Sequence, residues 1–147
     1  MLFRSVTLET SGTARTLPPD AALALLRTAQ EAMTNAAKHA PGQRVAIRLD
    51  YGDNEVRLSV VNGLDATRAP VRDEAGRSGR GPGSTGGYGL TGMRERLRLL
   101  NGTLLAGPVL ADPLLAPPGE NEWTVTADLP LSDTADGLAA AQDGIAR

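Results

Sequence analysis

The order of apolar and polar residues along the chain predicts five strands and two helices. Strand-like alternation occurs in five segments: Leu2–Glu9, Arg44–Tyr51, Glu55–Asn62, Thr103–Ala106 and Glu122–Leu131. The second and third segments are joined by Gly52-Asp53-Asn54, which predicts an antiparallel hairpin. Val45, Ile47 and Leu49 face one way on their strand, as do Val56, Leu58 and Val60 on theirs, so we expect one face of this hairpin to be buried.

Two segments have the 3.6-residue periodicity of an amphipathic helix. The first runs from Ala21 to Ala40, after Pro18-Pro19, and proline suits the first turn of a helix. Its predicted apolar stripe consists of Ala22, Leu25, Leu26, Ala29, Met33, Ala36 and Ala40. The second runs from Gly89 to Asn101, and Gly102 is a typical C-terminal stop. Its predicted stripe consists of Leu90, Met93, Leu97 and Leu100.

Three stretches lack such periodicity. Residues 63–87 are rich in glycine, and a long loop inside a compact domain is usually functional. Residues 107–121 form a proline-rich connection. Residues 132–147 are rich in Ala, Asp and Gly and predict a disordered tail. The folded unit is therefore expected to be one domain over residues 1–131.

Composition narrows the chemistry that the chain can perform. Its 147 residues, 41% of them hydrophobic, are enough for one sizeable core. The absence of cysteine and the single histidine exclude disulfides, thiol catalysis and a His-rich metal site. A net charge of -2 and an aromatic content of 3% argue against a nucleic-acid partner. No apolar run reaches transmembrane length and no signal peptide is recognisable, so we expect a cytoplasmic location.

A polar edge on the first helix is the first candidate site. At 100° per residue, Glu31, Asn35 and Lys38 fall within about 60° of one another, with the apolar stripe opposite. His39 follows at the helix end. Carboxylate and amide oxygens suit magnesium, and lysine suits phosphate. A solvated polar face is the commoner explanation of such a pattern.

Two segments containing glycine are the other candidates. Asn62-Gly63 closes an apolar strand, where an amide can face a ligand cleft, although Asn-Gly is also a common turn pair. The run Gly86–Met93 leads into a helix start, where backbone N–H groups favour phosphate, although a flexible linker has a similar composition. Gly92 lies inside the first helical turn and costs roughly 1 kcal/mol relative to alanine. Close approach of a ligand or of another backbone would explain it.

The order and spacing of these segments resemble the ATP-binding catalytic domain of two-component sensor histidine kinases. Residues 30–40, QEAMTNAAKHA, are similar to the N box of the nitrate-sensor and desaturase-sensor subfamily. Residues 87–96, GYGLTGMRER, are similar to its G2 box and the helix that follows. The strand ending at Asn62 lies where the G1 box belongs, and the final Leu129-Pro130-Leu131 also fits. The resemblance covers roughly residues 15–131.

The resemblance implies a Bergerat, or GHKL, fold. This is an α/β two-layer sandwich in which a mixed, mostly antiparallel sheet packs on helices, with a long ATP lid at about residues 63–87. It implies ATP and Mg²⁺ as cofactors, with Asn35 as the metal ligand and Glu31 as the acidic residue that activates the acceptor. Lys38 and His39 would lie near the phosphates. The other implied ATP-binding residues are Asn62, Gly63, Asp65, Gly87, Tyr88, Gly89, Leu90, Gly92 and Met93.

The implied reaction is transfer of the γ-phosphoryl group of ATP to a histidine, for relay to a response regulator. His39 lies inside the N box, so the histidine-bearing dimerisation domain is expected to be absent from this chain. We therefore expect a monomer that binds ATP without efficient autophosphorylation. Asn62 stands where most of the family has an aspartate. Its carboxamide oxygen can still accept a hydrogen bond from adenine, without charge assistance.

Other functions share part of this pattern. A serine kinase of the anti-sigma-factor type has the same N box and fold, but the GMRER helix favours a histidine kinase. A non-catalytic nucleotide-binding scaffold is favoured by the missing aspartate and opposed by the retained Glu31, Asn35 and Lys38. A plain α/β interaction domain would require the glycine and N-box spacing to be accidental.

Overall fold

The structure is a computed structural model and describes residues 3–64, 86–109 and 122–131. Its elements in chain order are β1 (Ser5–Gly12), α1 (Pro19–His39), β2 (Arg44–Tyr51), β3 (Glu55–Gly63), α2 (Gly86–Leu99), β4 (Thr103–Val109) and β5 (Glu122–Pro130). The five predicted strands and both predicted helices are therefore confirmed. Most of the predicted lid, residues 110–121 of the proline-rich connection, and the tail lie outside the described residues.

The strands form one mixed sheet with the order β1-β2-β3-β5-β4. β1 lies parallel to β2, with α1 as the crossover between them, and the other neighbouring strands are antiparallel. The predicted β2–β3 hairpin is confirmed, with Ile47 opposite Val60. Because β3 also pairs with β5, the end of β3 lies beside the start of β5, and Asn62 is opposite Trp123.

Both helices cover the same face of the sheet. α1 packs on β2, β3 and β5, whereas α2 packs on β4 and β5 and against α1. The largest fully buried core side chains are Met93, Leu97, Leu129, Val45, Val56 and Val60. These contacts confirm a two-layer sandwich with a mostly antiparallel sheet.

The other face of the sheet carries charged side chains. Arg48 bonds Glu9 across the β1–β2 pair, with 3.1 Å between Nε and Oε2. Arg57 forms a two-point ion pair with Asp128, and this hydrogen bond raises the pKa of Arg57 above its ordinary value. Exposed pairs of this kind contribute little to stability, so they mainly keep this face soluble.

The buried face of α1 differs from the predicted stripe. Ala22 and Leu26 were expected to be buried, but both are exposed, and Leu26 keeps 54% of its surface. The buried residues are Ala21, Ala24, Leu25, Thr28, Ala32 and Ala36. This face is rotated by roughly 85° toward the edge that carries Asn35. Thr28 is tolerated there because its hydroxyl donates to the carbonyl of Ala24 at 2.9 Å.

Strand ends also differ from the predicted ones. β1 spans Ser5–Gly12 rather than Leu2–Glu9, because its parallel pairing with β2 runs from Ser5 opposite Arg44 to Gly12 opposite Tyr51. β4 continues past the predicted end at Ala106 to Val109, which pairs with Glu122. In both cases pairing with a neighbouring strand, and not local alternation, determines where the strand ends.

The end of α2 is a Schellman motif. The N–H of Gly102 donates to the Leu97 carbonyl at 2.7 Å, and the N–H of Asn101 donates to the Arg98 carbonyl at 3.1 Å. The left-handed residue is Asn101, with φ of 57°, and not the predicted Gly102. Gly102 has another role, because a Cβ there would lie 2.7 Å from the Asp128 carbonyl oxygen.

Candidate functional site

A cavity of about 320 Å³ lies between α1 and the β3–β5 pair, with the start of α2 at its side. Its lining residues are Ala32, Asn35, Ala36, His39, Asn62, Leu64, Leu90, Trp123 and Val125. The walls are mainly apolar, and the polar groups come from α1 and from the end of β3. A cleft of this size with a few placed polar groups is typical of a small-molecule site.

α1 forms one wall of this cavity through its small residues. Ala32 and Ala36 lie one turn apart and are almost completely buried, which lets the helix approach the sheet closely. Asn35 lies between them at the border of the buried face and is half-buried. The prediction that the polar edge lies opposite the core is therefore wrong, because the rotation of α1 brings Glu31 and Asn35 beside it.

Asn62 is one of the two buried polar residues in the described part of the chain, with 7% of its surface exposed. Its Nδ2 donates to the Gly63 carbonyl at 3.0 Å. Within the described ranges this is the one hydrogen bond of its side chain, which leaves the carboxamide oxygen available as an acceptor. Asn62 lies near the end of β3 and lines the cavity.

The carboxylate of Glu31 lies against the first described turns of α2. A Cβ added to Gly89 would collide with Oε1 of Glu31 and lie 3.1 Å from its Cδ. Gly89 is therefore required for the close approach of the two helices at this point. The structure thus brings together a residue of the N-box segment and a residue of the G2-like segment.

The remaining predicted residues occupy different environments. Leu90 lines the cavity together with His39, whereas Lys38 is exposed and is not among the lining residues. Gly63 follows Asn62 at the end of β3. Gly92 lies in the second turn of α2 and not in the first, because the helix begins at Gly86 rather than at the predicted Gly89. A Cβ built at Gly92 has no described atom within 4 Å, so no packing contact in the described ranges accounts for a glycine there.

Met93 is a core residue. Its side chain is completely buried in the hydrophobic cluster between the helices and the sheet, so it supports α2 from below. Gly87 and Tyr88 belong to the first turn of α2, and Asp65 lies outside the described residues.

Sequence reasoning missed Trp123, Val125 and Leu64 as lining residues. The two β5 residues reach the cavity because β5 pairs with β3, and neither local pattern nor spacing reveals which strands are neighbours. Leu64 follows directly on Gly63 and would have been found by extending the β3 motif by one residue. Ala32 and Ala36 could have been found from the N-box run. They are small residues four positions apart, so they share the helix face next to Asn35.

Oxygen donors for a cation are few at this site. In residues 3–64, 86–109 and 122–131, no group of three or more His, Cys, Asp or Glu side chains could hold a metal ion. Glu31 and Asn35, one turn apart on α1, offer a carboxylate and a carboxamide. This set fits a magnesium ion that takes most of its ligands from phosphates and water.

The described helices include none that is long and apolar enough to cross a membrane.

Comparison with known proteins gives consistent matches. The family profile described as "Histidine kinase-, DNA gyrase B-, and HSP90-like ATPase" matches residues 20–133. The signal transduction histidine-protein kinase/phosphatase DegS of Bacillus subtilis (strain 168) is 32% identical over 89 residues, which are 60% of this chain and 21% of DegS. The nitrate/nitrite sensor protein NarX of Escherichia coli (strain K12) is also 32% identical over 89 residues, 13% of its length.

Solved structures show the same fold. The catalytic domain of the histidine kinase ThkA, in a nucleotide-free form, superimposes with a TM-score of 0.59 at 16% sequence identity. The match covers 88% of this chain and 78% of that domain. The predicted fold class is thereby confirmed. The chain spans only about a fifth or less of the curated relatives it matches, 21% of DegS and 13% of NarX.

Proposed function

This chain belongs to the family of histidine kinase-, DNA gyrase B-, and HSP90-like ATPases, and we propose that it is the ATP-binding catalytic domain of a sensor histidine kinase. In this proposal the domain transfers the γ-phosphoryl group of ATP to a histidine on a dimerisation domain outside the chain. A response regulator then receives the phosphoryl group. One observation carries the proposal. Asn35, Asn62 and Leu90 belong to three separate motifs and line the same cavity.

The base of the nucleotide is proposed to occupy the apolar part of the cavity. Trp123 and Val125 supply apolar surface there, and the free acceptor oxygen of Asn62 matches the amino group of adenine. Guanine carries a carbonyl oxygen at the equivalent position, which would face the Asn62 acceptor. The site should therefore prefer adenine to guanine.

The phosphates are proposed to lie between α1 and the start of α2. Asn35 and Glu31 would hold a magnesium ion there, and when bound this ion neutralises charge on the transferred phosphoryl group. Backbone N–H groups in the first turn of α2, which begins at Gly86, favour anions. One turn further on, no described atom lies within 4 Å of a Cβ built at Gly92. Lys38 is exposed one turn from the cavity and would act as a mobile positive charge.

Glu31 is proposed to orient and deprotonate the acceptor histidine. Its position is held by the contact with Gly89, since α2 limits the directions in which the carboxylate can turn. DegS is a histidine-protein kinase/phosphatase, which favours this reaction over that of a serine kinase of the anti-sigma-factor type. We further propose a cytoplasmic location and a monomeric state for the domain.

Calorimetric titration with a non-hydrolysable ATP analogue tests the proposal, with and without magnesium. We expect magnesium-dependent binding that the guanine analogue does not reproduce. The variant Asn35→Asp should change the magnesium dependence because it alters a metal ligand, while the melting temperature should change little. Asn54→Asp is the matched control, since Asn54 is exposed in the β2–β3 turn.

Two results would count against the proposal. If the chain binds no nucleotide at millimolar concentration, the substitution of Asn62 for aspartate marks a degenerate site and the domain is a scaffold. If Asn35→Asp lowers binding and melting temperature in the same proportion, Asn35 is only a structural residue of α1.

A further inference from the structure

A second cleft, of about 500 Å³, lies at the C-terminal end of α2, beside the edge strand β4. We call it the arginine cleft, and its lining residues are Arg94, Arg98, Asn101, Gly102, Thr103 and Leu104. It shares no lining residue with the cavity proposed for the nucleotide. The two sites are therefore separate surfaces of the domain.

The arginine cleft lies on the side of α2 that faces away from α1. Gly89 marks the side toward α1, because it contacts Glu31. At 100° per residue, Arg94 and Arg98 lie about 140° and 180° around the helix from Gly89. Arg98 also lies about 12 Å along the helix axis from Leu90, which lines the nucleotide cavity. A ligand in the cleft would therefore not contact the nucleotide site.

The two arginines bring positive charge to the cleft without a counter-charge. They are exposed and one helical turn apart, which places their Cβ atoms about 5–6 Å from each other. Within the described ranges neither forms an ion pair, whereas Arg44, Arg48 and Arg57 on the strands each contact a carboxylate. Two neighbouring cations without an anion create a positive potential between them.

The dipole of α2 explains only part of this pattern. It favours basic residues in the last turn, where Arg96 and Arg98 lie. Arg94 precedes that turn, and Arg96 does not line the cleft. The dipole also disfavours an anion at this end, typically by about fivefold or less in affinity. One charge-assisted hydrogen bond contributes about tenfold or more, so two arginines outweigh the dipole.

Asn101 and Thr103 add neutral hydrogen-bond donors. Asn101 is in the left-handed conformation, with φ of 57°, where helices commonly have glycine, so it brings a carboxamide that glycine would lack. Within the described part of the chain, neither side chain forms a hydrogen bond. Both residues also line a neighbouring cleft that contains Asp128, but the charge of Asp128 is paired with Arg57. The arginine cleft therefore keeps its positive character.

We propose that the arginine cleft binds the phosphate group of a small organic phosphate. Two guanidinium forks, a carboxamide and a hydroxyl surround the cleft, and together they offer more donors than the two oxygens of a carboxylate can use. A phosphate presents its oxygens in several directions, and arginine binds it through two parallel hydrogen bonds. Phosphate alone is small for a cleft of about 500 Å³, so an organic group is expected beside Gly102 and Leu104.

This inference is independent of the proposed function. The arginine cleft and the nucleotide cavity share no lining residue, and the binding of an organic phosphate here requires neither ATP nor magnesium. Nucleotide binding can therefore fail while the cleft binds its ligand, and the reverse is equally possible.

An NMR titration of the full chain with glycerol 3-phosphate, without nucleotide or magnesium, tests the proposal. We expect the amide signals of Asn101 and Thr103 to shift, while those of Asn35 and Asn62 stay in place. Arg98→Gln should raise the Kd about tenfold or more, because it removes charge-assisted hydrogen bonds. The side chain is exposed, so the variant should fold, and its melting temperature checks this.

Arg96→Gln is the matched control. It removes the same charge from the same turn of α2, but Arg96 does not line the cleft, so the Kd should change little. An equal loss of affinity in Arg96→Gln and Arg98→Gln would show general attraction by charge and overturn the proposal. Shifts at Asn35 and Asn62 instead of Asn101 would place the phosphate in the nucleotide cavity, with the same consequence. So would the absence of any shift at tens of millimolar.

Inorganic phosphate, titrated at the same pH and ionic strength, separates the two sources of the phosphate group. We expect glycerol 3-phosphate to bind more tightly, because its organic part adds contacts that inorganic phosphate lacks. Equal or tighter binding of inorganic phosphate would overturn the assignment to an organic phosphate and leave the free anion as the ligand.

Discussion

Gly92 and Gly89 lie on neighbouring turns of α2 but should respond differently to the same substitution. A Cβ at position 92 meets no described atom, so Gly92→Ala should raise the free energy of unfolding by roughly 1 kcal/mol through helix propensity. The same variant should weaken nucleotide binding about tenfold or more, because a methyl group obstructs the approach of phosphate to charge-assisted N–H donors. Denaturation curves and calorimetric titration measure the two effects.

Gly89→Ala is the control for this pair. Its Cβ collides with the Glu31 carboxylate, so the propensity gain should be cancelled and stability should not rise. If Gly92→Ala stabilises the domain and binds nucleotide as the natural chain does, phosphate does not approach α2 at this position.

Residues within one contiguous motif were identifiable from the sequence, whereas residues that meet through the sheet were not. Asn35 and His39 share a helix, and their arrangement follows from its periodicity. Trp123 faces the same cavity only because β5 pairs with β3, and no local pattern encodes that pairing. Met93 shows the limit of motif reasoning. Its motif suggested a contact with the ligand, but its side chain is completely buried in the core beneath α2.

At the level of elements, the junction of α2 and β4 depends on one close approach. Gly102→Ala should lower the free energy of unfolding by about 1–3 kcal/mol, because its Cβ would press on the Asp128 carbonyl and the Leu129 side chain. Gly107→Ala is the control within β4, where a Cβ meets no described atom within 4 Å. Chemical denaturation of both variants measures the difference. Equal stabilities would show that β5 can shift to accommodate the methyl group.

The two helices also show where element-level prediction succeeds. The predicted stripe of α2 was correct, since its members Met93 and Leu97 are completely buried, whereas Leu99, which lies off the stripe, is exposed. In α1, alanines lie on two adjacent sides of the helix. Because alanine can be either buried or exposed, periodicity could not show which of the two sides is buried. Contact with α2 selects the side that carries Ala32 and Ala36, which is also what brings Asn35 to the cavity.

At the scale of the whole molecule, the chain has one histidine, and its position bears on what the chain can do alone. His39 lines the cavity that we propose for the nucleotide, together with Asn62 and Trp123. A bound nucleotide would cover this imidazole, and transfer requires an acceptor in line with the leaving oxygen. We therefore expect no labelled protein when the chain is incubated with γ-labelled ATP and magnesium.

Adding a histidine-bearing dimerisation domain from a related sensor kinase should place the label on that domain. The comparison separates catalytic competence from the presence of an acceptor, since both samples contain the same nucleotide site. Acid-labile label on this chain that disappears in His39→Gln would contradict the expectation, because it would make His39 the acceptor. Label on neither protein, despite measured magnesium-dependent ATP binding, would leave a nucleotide-binding scaffold as the function that fits the fold.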